Sequence, residues 1–410
     1  MANYKWTMRL YDNDGDPITA NYSGYSDKGT TNEIAHATDR NLGFYLNGLD
    51  DCSFSLYLDD PMSYNVDPLR CAVKVWRKIT EDDGDVIYED PEIAPSFAGV
   101  VTYASKDGDT NKMSVKAFNP LWRLQLRFHL LNHYLKRNPD TGNDYKQSEL
   151  IWKLIDLVNN AFGLGVSNTG IAQGTFGWVG EPTIAPYFVP KGSNTWSNIF
   201  DDIMNRAAGS DIITGYYHDD GDPTLFFFNT EEKRGSDKSA IIKFNYRTGS
   251  GDNCENLTEE IQAVPGEFAN YVWAVGQGGP NSGKVALDEN NSGVTGSYGY
   301  NEIGIYMRRV DNEEIKRISA LQPIATAELA QSQIPKRAYS VTVSPAADIF
   351  YGSNMDYQVG DVVELNADKY SLQVNAAKKR IYECQLSMTD NNVETSAPLV
   401  SDDFYGKVAT

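Results

Sequence analysis

Cysteine is scarce in this chain of 410 residues, which holds four: Cys52, Cys71, Cys254 and Cys384. No two form a CxxC pair and none stands at zinc spacing, which excludes a thiolate zinc site and a redox dithiol. Cys52, Cys71 and Cys384 sit inside apolar strand patterns instead. They read as buried free thiols, because a thiol packs as a small hydrophobe. Positive charge is also short, with 36 Lys and Arg against 56 Asp and Glu, a net charge of −20. Such a surface repels phosphate and argues against a DNA- or RNA-binding protein. No run approaches the ~20 apolar residues that span a bilayer. The opening MANYKWTMRL lacks a cationic stretch followed by an apolar one, so no signal peptide is expected. A secreted β-rich adhesin is disfavoured with it.

Catalytic signatures are missing in the same way. There is no GxSxG, no Walker loop and no GxGxxG between a strand and a helix. Gly276–Gly279 follows a strand pattern, but Pro280 and Asn281 do not open a helix, so a flexible turn is expected. His129 and His133 are four apart in a helix-like stretch. A zinc-protease helix needs Glu after the first His, and position 130 is Leu. Both are therefore expected on an ordinary helix surface. Four acidic turns (Asp12–Asp16, Asp82–Asp85, Asp107–Asp109 and Asp219–Asp222) invite a calcium reading. An EF-hand loop needs flanking helices and a Glu at its end, whereas these flanks are strand-like. Asp-Gly is the dipeptide of tight hairpin turns, so turns are expected ahead of a bound cation. Among 56 acids some pair always sits at glycosidase separation, so that signal has no specificity. The expectation is no catalytic residue, no cofactor-binding residue, no metal ligand and no cofactor.

Aromatic residues are plentiful: 25 Tyr, 16 Phe and 7 Trp, which favours β-structure or broad contact surfaces. The length fits about three domains at ~150 residues each. Two sets of short alternating strands stand out. Cys52–Asp59, Arg70–Arg77, Gly99–Ala104 and Met113–Phe118 form one, after a first strand at Tyr4–Tyr11. Tyr339–Val343, Val362–Leu365 and Arg380–Met388 form the other. Many short strands at regular spacing indicate a barrel or sandwich. At Asn119-Pro120 the period changes, and Leu121–Leu135 reads as a helix. Ser148–Phe162 is a second, with Ser148 as N-cap and Gly163 as stop, and Asn194–Ala208 a third. Ile212–Tyr217 and Thr224–Asn229 form a hairpin. Ala240–Tyr246 and Asn270–Val275 return to strand, Gly276–Gly299 reads as loop, and Ile324–Gln333 as a helix with Pro323 in its first turn. Ala397–Thr410 reads as strand or mobile tail.

The order of these pieces resembles the hub family of phage baseplates and tail tips, also described as minor tail proteins. Phe54–Pro61 (FSLYLDDP) is similar to that family's early strand and acidic turn. Gly99–Arg127 (GVVTYASKDGDTNKMSVKAFNPLWRLQLR) resembles its strand–hairpin–strand run. Ile151–Phe162 and Trp196–Ala208 resemble its insert helices, and Asn270–Gly276 (NYVWAVG) the strand after them. Tyr298–Gly304 and Ala325–Leu329 up to Pro335 resemble its later helix, Tyr357–Leu365 (YQVGDVVEL) its late Gly-Asp strand, and Arg380–Met388 the strand after that. The resemblance covers about residues 50–390.

It implies a mainly β fold with α+β inserts: two tube-type antiparallel β-barrel domains plus helix-containing insert domains. Residues 1–120 would form the first barrel and 121–240 an α/β insert. Residues 241–285 with 339–400 would form the second barrel, 286–338 a small helical and loop insert, and 401–410 a C-terminal tail. The implied function is structural and non-enzymatic. A homotrimeric ring with pseudo-sixfold symmetry caps the tail tube, adapts a sixfold tail to a threefold tip and lines the DNA-ejection channel. Its implied partners are a distal tail protein or the tail tube above, and a tape-measure protein in the lumen. Tip, spike or fibre proteins lie below, and DNA passes without specific binding. The implied place is the virion tail tip of a siphophage, after assembly in the host cytoplasm. Some relatives continue into a peptidase or receptor-binding region, and no such extension is expected here. The competing reading is a virion-associated carbohydrate-binding or glycan-degrading protein, with aromatics stacking sugars and carboxylates cutting.

Overall fold

The computed structural model describes residues 2–12, 15–23, 29–127, 129–131, 133–160, 171–174, 177–179, 181, 183, 187–189, 191–192, 203, 211–214, 226–231, 233–249, 251–263, 268–279, 284–311, 315–352, 355–369 and 372–402. The fold is mainly β, with a large, mostly antiparallel sheet and small helical inserts. Two compact units divide the chain: residues 1–257 with 340–400, and residues 258–339 with 401–410.

The first unit begins with β1 (Asn3–Asp12), β2 (Ala20–Asn21), β3 (Thr30–Thr31), β4 (Thr38–Tyr45) and β5 (Asp51–Tyr57). It continues through β6 (Cys71–Thr80), β7 (Val86–Glu89), β8 (Phe97–Asp107) and β9 (Lys112–Phe118). Alternation sets the faces. Tyr4, Trp6, Met8 and Leu10 of β1 are buried, and Trp6, Met8 and Leu10 lie opposite Arg77, Val75 and Val73 of β6. Cys52, Phe54 and Leu56 of β5 point inward against Ala117, Val115 and Met113 of β9. A one-residue slip in either pair would turn these side chains outward, so burial fixes the register.

An insert follows: α1 (Trp122–Gln125), β10 (His133–Leu135), α2 (Gln147–Asn159), β11 (Ile171–Gln173), β12 (Tyr187–Val189), β13 (Asp211–Thr214) and β14 (Phe226–Glu231). Leu150, Ile151, Leu154, Ile155 and Val158 of α2 pack with Leu121, Leu124, Tyr187, Val189 and Phe228. The expected helix over Leu121–Leu135 is a single turn. Leu121 and Leu124 are buried, but Leu126, Leu130 and Leu131 are exposed, so the apolar spacing never gathers on one buried face. The N-cap of α2 is Lys146 rather than Ser148, and Glu149 accepts the Lys146 backbone N–H at 3.2 Å. Gly163 and the helix expected at Asn194–Ala208 lie outside the described residues, except Ile203, which is buried in the insert core. Of the expected hairpin, β13 and β14 pair antiparallel, and residues 215–225 between them lie outside the described residues.

The chain then returns through β15 (Lys243–Tyr246) and β16 (Cys254–Gln262). After the second unit come β20 (Lys336–Val343), β21 (Val362–Lys369), β22 (Leu372–Met388) and β23 (Glu394–Ser401). The main sheet runs β1-β6-β8-β9-β5-β4-β22-β23-β20-β16, with β7 on β6 and β15–β21 attached through β22. Its central seam joins opposite ends of the chain: Arg40–Tyr45 of β4 pair antiparallel with Glu383–Met388 of β22. The two strand-rich sets of the sequence thus share one sheet.

In the second unit, β17 (Tyr271–Val275) is flanked by antiparallel β18 (Val285–Glu289) and parallel β19 (Met307–Asp311). The expected Gly276–Gly299 loop therefore contains a strand. The short helix α3 (Tyr300–Ile303) precedes β19, and α4 (Ile318–Ser332) follows it. Leu321, Ala325 and Leu329, one face of α4, cover Val272, Ala274 and Ala286. Pro323 lies inside α4, not in its first turn. The flanking Leu321 and Ala325 contacts hold the helix across the missing N–H.

Candidate functional site

The sequence offered no catalytic constellation, and the most organised polar geometry joins distant parts of the first unit. Arg77 lies on the inward face of β6, in line with Val73 and Val75, and Glu394 opens β23 on the facing side. The side chains are 1% and 5% exposed. Arg77 Nη2 and Nε donate to the two Glu394 oxygens at 2.5 and 3.1 Å, and Nη1 donates to the Tyr351 carbonyl at 2.8 Å. Trp6 Nε1 donates to Glu394 at 2.6 Å. Burial works against the guanidinium charge, but the Glu394 carboxylate outweighs it and pushes the Arg77 pKa up. Tyr351 belongs to an aromatic row: Phe44, Tyr351, Tyr357 and Phe244 form a chain of contacts at 5.0, 5.6 and 5.3 Å between centroids. The Tyr357 hydroxyl pairs with Ser396 at 2.7 Å.

A second buried pair anchors the insert. Asp211, the first residue of β13, accepts from Arg380 of β22 and from the Arg234 backbone N–H. Arg380 Nε also donates to the Gly360 carbonyl at 3.1 Å. Beside it, Asp361 accepts from the Ser236 and Gln358 backbone N–H groups at 2.7 and 3.0 Å and pairs with Lys238. Gly235 and Gly360 meet back to back there, both with positive φ, and a Cβ on Gly360 would stand 2.6 Å from the Arg234 carbonyl oxygen. Removing one member of such a pair leaves an uncompensated buried charge.

The acidic turn after β5 is built the same way. Asp60 is buried and accepts from the Tyr22 hydroxyl, the Met62 backbone N–H and His36 Nδ1 at 2.9, 2.8 and 3.2 Å. A cleft of about 480 Å³ opens beside it, lined by His36, Arg40, Tyr57, Asp59, Asp390 and Asn392 among others. Its acids and cations mix without a convergent set of donors.

The remaining residues of interest take structural places. Asp83 and Asp107 accept from the backbone N–H groups of Asp85 and Asp109 in their own turns, and Asp12 from that of Asp16. Asn13, Asp14 and Asp219–Asp222 lie outside the described residues. Among the described residues no group of three or more His, Cys, Asp or Glu is placed to hold a metal ion. His129 and His133 do not share a helix surface. His129 is buried, His133 opens β10, and their rings meet edge to face at 5.3 Å. Burial, then His133, pushes the His129 pKa down to about 4. All four cysteines are free thiols, with Cys52, Cys71 and Cys384 buried. Gly276–Gly279 is a turn, closed by the Gly279 N–H on the Gly276 carbonyl. No helix among the described residues is long and apolar enough to cross a membrane.

The buried pairs were missed by sequence reasoning, yet β6 carried a signal. Its two-residue alternation puts Arg77 in the same row as Val73, Val75 and Ile79, all buried. A charge on the apolar face of a strand implies a buried partner.

No family model matches the sequence, and no curated protein does. Solved structures do. A tail protein from Neisseria meningitidis superposes with a TM-score of 0.58 at 13% identity, covering 97% of both chains. The 43 kDa tail protein of prophage MuSo2 from Shewanella oneidensis gives 0.56 at 13% identity, covering 97% of this chain and 98% of that one. A prophage tail protein from Listeria monocytogenes gives 0.52 at 11% identity, covering 97% and 95%. At these identities the likeness is one of fold, and this chain has the fold of these phage tail proteins along nearly its whole length.

Proposed function

We propose that this chain is a structural, non-enzymatic subunit of a bacteriophage tail tip or baseplate, in which three copies form the hub ring. The observation that carries this reading is a fold shared with three tail proteins over at least 95% of every chain compared. The ring caps the tail tube, adapts a sixfold tail to a threefold tip and surrounds the channel through which DNA leaves. Its first unit supplies a rigid wall. The β4–β22 seam and the Arg77–Glu394 pair tie residues near the two ends of the sequence into one sheet. In a ring, any exposed edge strand can pair with a neighbouring copy, so that edges cease to be a liability. Three copies carry a charge of about −60, and a negative lumen lets DNA slide by like-charge repulsion. A distal tail protein or the tube lies above, a tape-measure protein within, and tip, spike or fibre proteins below. All meet in the virion after assembly in the host cytoplasm.

Negative-stain imaging of the concentrated protein, with a light-scattering mass, tests the reading. The expected result is a threefold ring with an open centre and three times the 45.6 kDa chain mass. Hydrolysis of a glycan by the purified chain, lost on replacing two particular carboxylates in a folded protein, would refute it.

A further inference from the structure

Charge is unevenly spread in this chain, and the exception borders the insert. Residues 110–139 contain six cations and no Asp or Glu, which leaves the rest of the chain at −26. Other acid-free basic stretches are consumed by the fold. In 68–80, Arg70, Arg77 and Lys78 pair with Asp67, Glu394 and Glu89. In 369–382, Lys378 and Arg380 pair with Asp237 and Asp211. In 110–139, Lys112 and Lys116 pair with Asp39 and Asp51. Lys136 and Arg137 differ: both are exposed, and among the described residues neither has a carboxylate within ion-pair distance.

These two cations flank an apolar face. The β10–β12 ribbon is two-sided. Leu135, Tyr187 and Val189 pack on the insert core. On the other side Tyr134 and Phe188, direct cross-strand partners, are 65% and 42% exposed. Leu130 and Leu131, 48% and 66% exposed, lie on the segment that a Gly192 N–H to His129 carbonyl bond ties to the ribbon. An exposed aromatic pair, followed in sequence by two exposed cations and preceded by two exposed leucines, has the make-up of a binding patch: apolar anchors and a charged rim.

We propose that this face docks on the acidic surface of a second copy of this chain. The argument is charge complementarity. Two copies at −20 each repel at long range, so association needs a place where the sign reverses, and residues 110–139 provide it. The rim cations set register on the acidic partner, and the Tyr134–Phe188 pair supplies the buried apolar area. A cationic, aromatic face also suits an anionic lipid surface. The remaining −26 opposes approach to such a bilayer, which favours the protein partner. The inference rests on the hub reading, since a ring needs contacts between copies.

The test is sedimentation velocity of the full chain at low and high salt. Wild type is compared with Tyr134→Ser/Phe188→Ser and with Lys136→Glu/Arg137→Glu. All four side chains are exposed, so circular dichroism melts should match wild type. Wild type should associate, and each pair of changes should weaken association by roughly tenfold or more, the charge reversal most at low salt. Variants that assemble like wild type overturn the inference and leave the ring standing. A wild type that stays at the single-chain mass at every concentration overturns the inference, whereas the hub reading falls on glycan hydrolysis as above. Binding of wild type to anionic phospholipid vesicles, lost in the variants while self-association is unchanged, assigns the face to lipid and overturns it.

Discussion

Replacing Glu394 with Leu leaves the Arg77 guanidinium buried, 1% exposed, with the Tyr351 carbonyl as its remaining hydrogen-bond acceptor among the described residues and Asp90 acting on it only through its charge. Removing one member of a buried ion pair costs about 3–5 kcal/mol, because the remaining charge has lost both water and its counterion. The Trp6 indole loses its acceptor as well, a further ~1 kcal/mol or more for an orphaned buried donor. The single change should therefore cost about 4–6 kcal/mol. Arg77→Met/Glu394→Leu removes both charges and keeps apolar volume. It should cost only about 2 kcal/mol, mostly the stranded Trp6 N–H and Tyr351 carbonyl. Adding a second mutation thus restores stability. A chain of two compact units need not unfold in one step. The assay is denaturant-dependent hydrogen exchange read on peptides of β1 and β6, which report the first unit alone. The reasoning is refuted if Glu394→Leu lies within about 1 kcal/mol of wild type, or if the double change costs the sum of the two singles.

Asp211→Asn should destabilise the insert by about 3 kcal/mol, since the buried Arg380 keeps its charge and loses the Asp211 carboxylate. Faster amide exchange in β13 and β14, with β1 unchanged, is the expected readout. Gly360→Ala should lower stability by about 3 kcal/mol, whereas Gly84→Ala, with nearly the same φ but open space around its Cβ position, should cost about 1. Equal melting temperatures for the two would show that the close approach to Arg234 carries no weight. Burial holds the His129 pKa down at about 4, below its value in the unfolded chain. That contribution is fully present above the unfolded pKa near ~6.5 and is lost as pH falls through about 4. His129→Gln should remove roughly 1–2 kcal/mol of the acid sensitivity between pH 6.5 and 5, measured by thermal melts along a pH series.

The strands were legible because their signal is local. Phe54 and Leu56 point inward and Tyr57 outward, as their alternation predicts, and the turn at Asp82–Asp85 follows from Asp-Gly chemistry. The segment Leu121–Leu135 was misread because leucines at three- and four-residue steps describe a buried helix face and an exposed patch equally well. Only tertiary contact separates Leu124, fully buried, from Leu131, 66% exposed. Strand β18 was hidden because Val285 and Leu287 sit among glycines, asparagines and serines, and pairing with β17 supplies the order that the segment lacks alone.

The polar joints were illegible for a different reason. Arg77 and Glu394 stand 317 positions apart, and Arg380 and Asp211 169 apart. No window of sequence contains both members of either pair. Half of each joint was nonetheless written locally, since β6 places a guanidinium in a row of valines and β22 places Arg380 directly before buried Ile381. A lone charge in such a row has a desolvation cost that no neighbour on its own strand can offset, so it predicts a counterion from elsewhere in the fold. With 56 acids available, the sequence names the need and not the partner. The same logic separates the insert face from the joints. Arg77 and Arg380 meet carboxylates inside the chain, while among the described residues Lys136 and Arg137 meet none, which is why the partner proposed for them is the acidic surface of another copy.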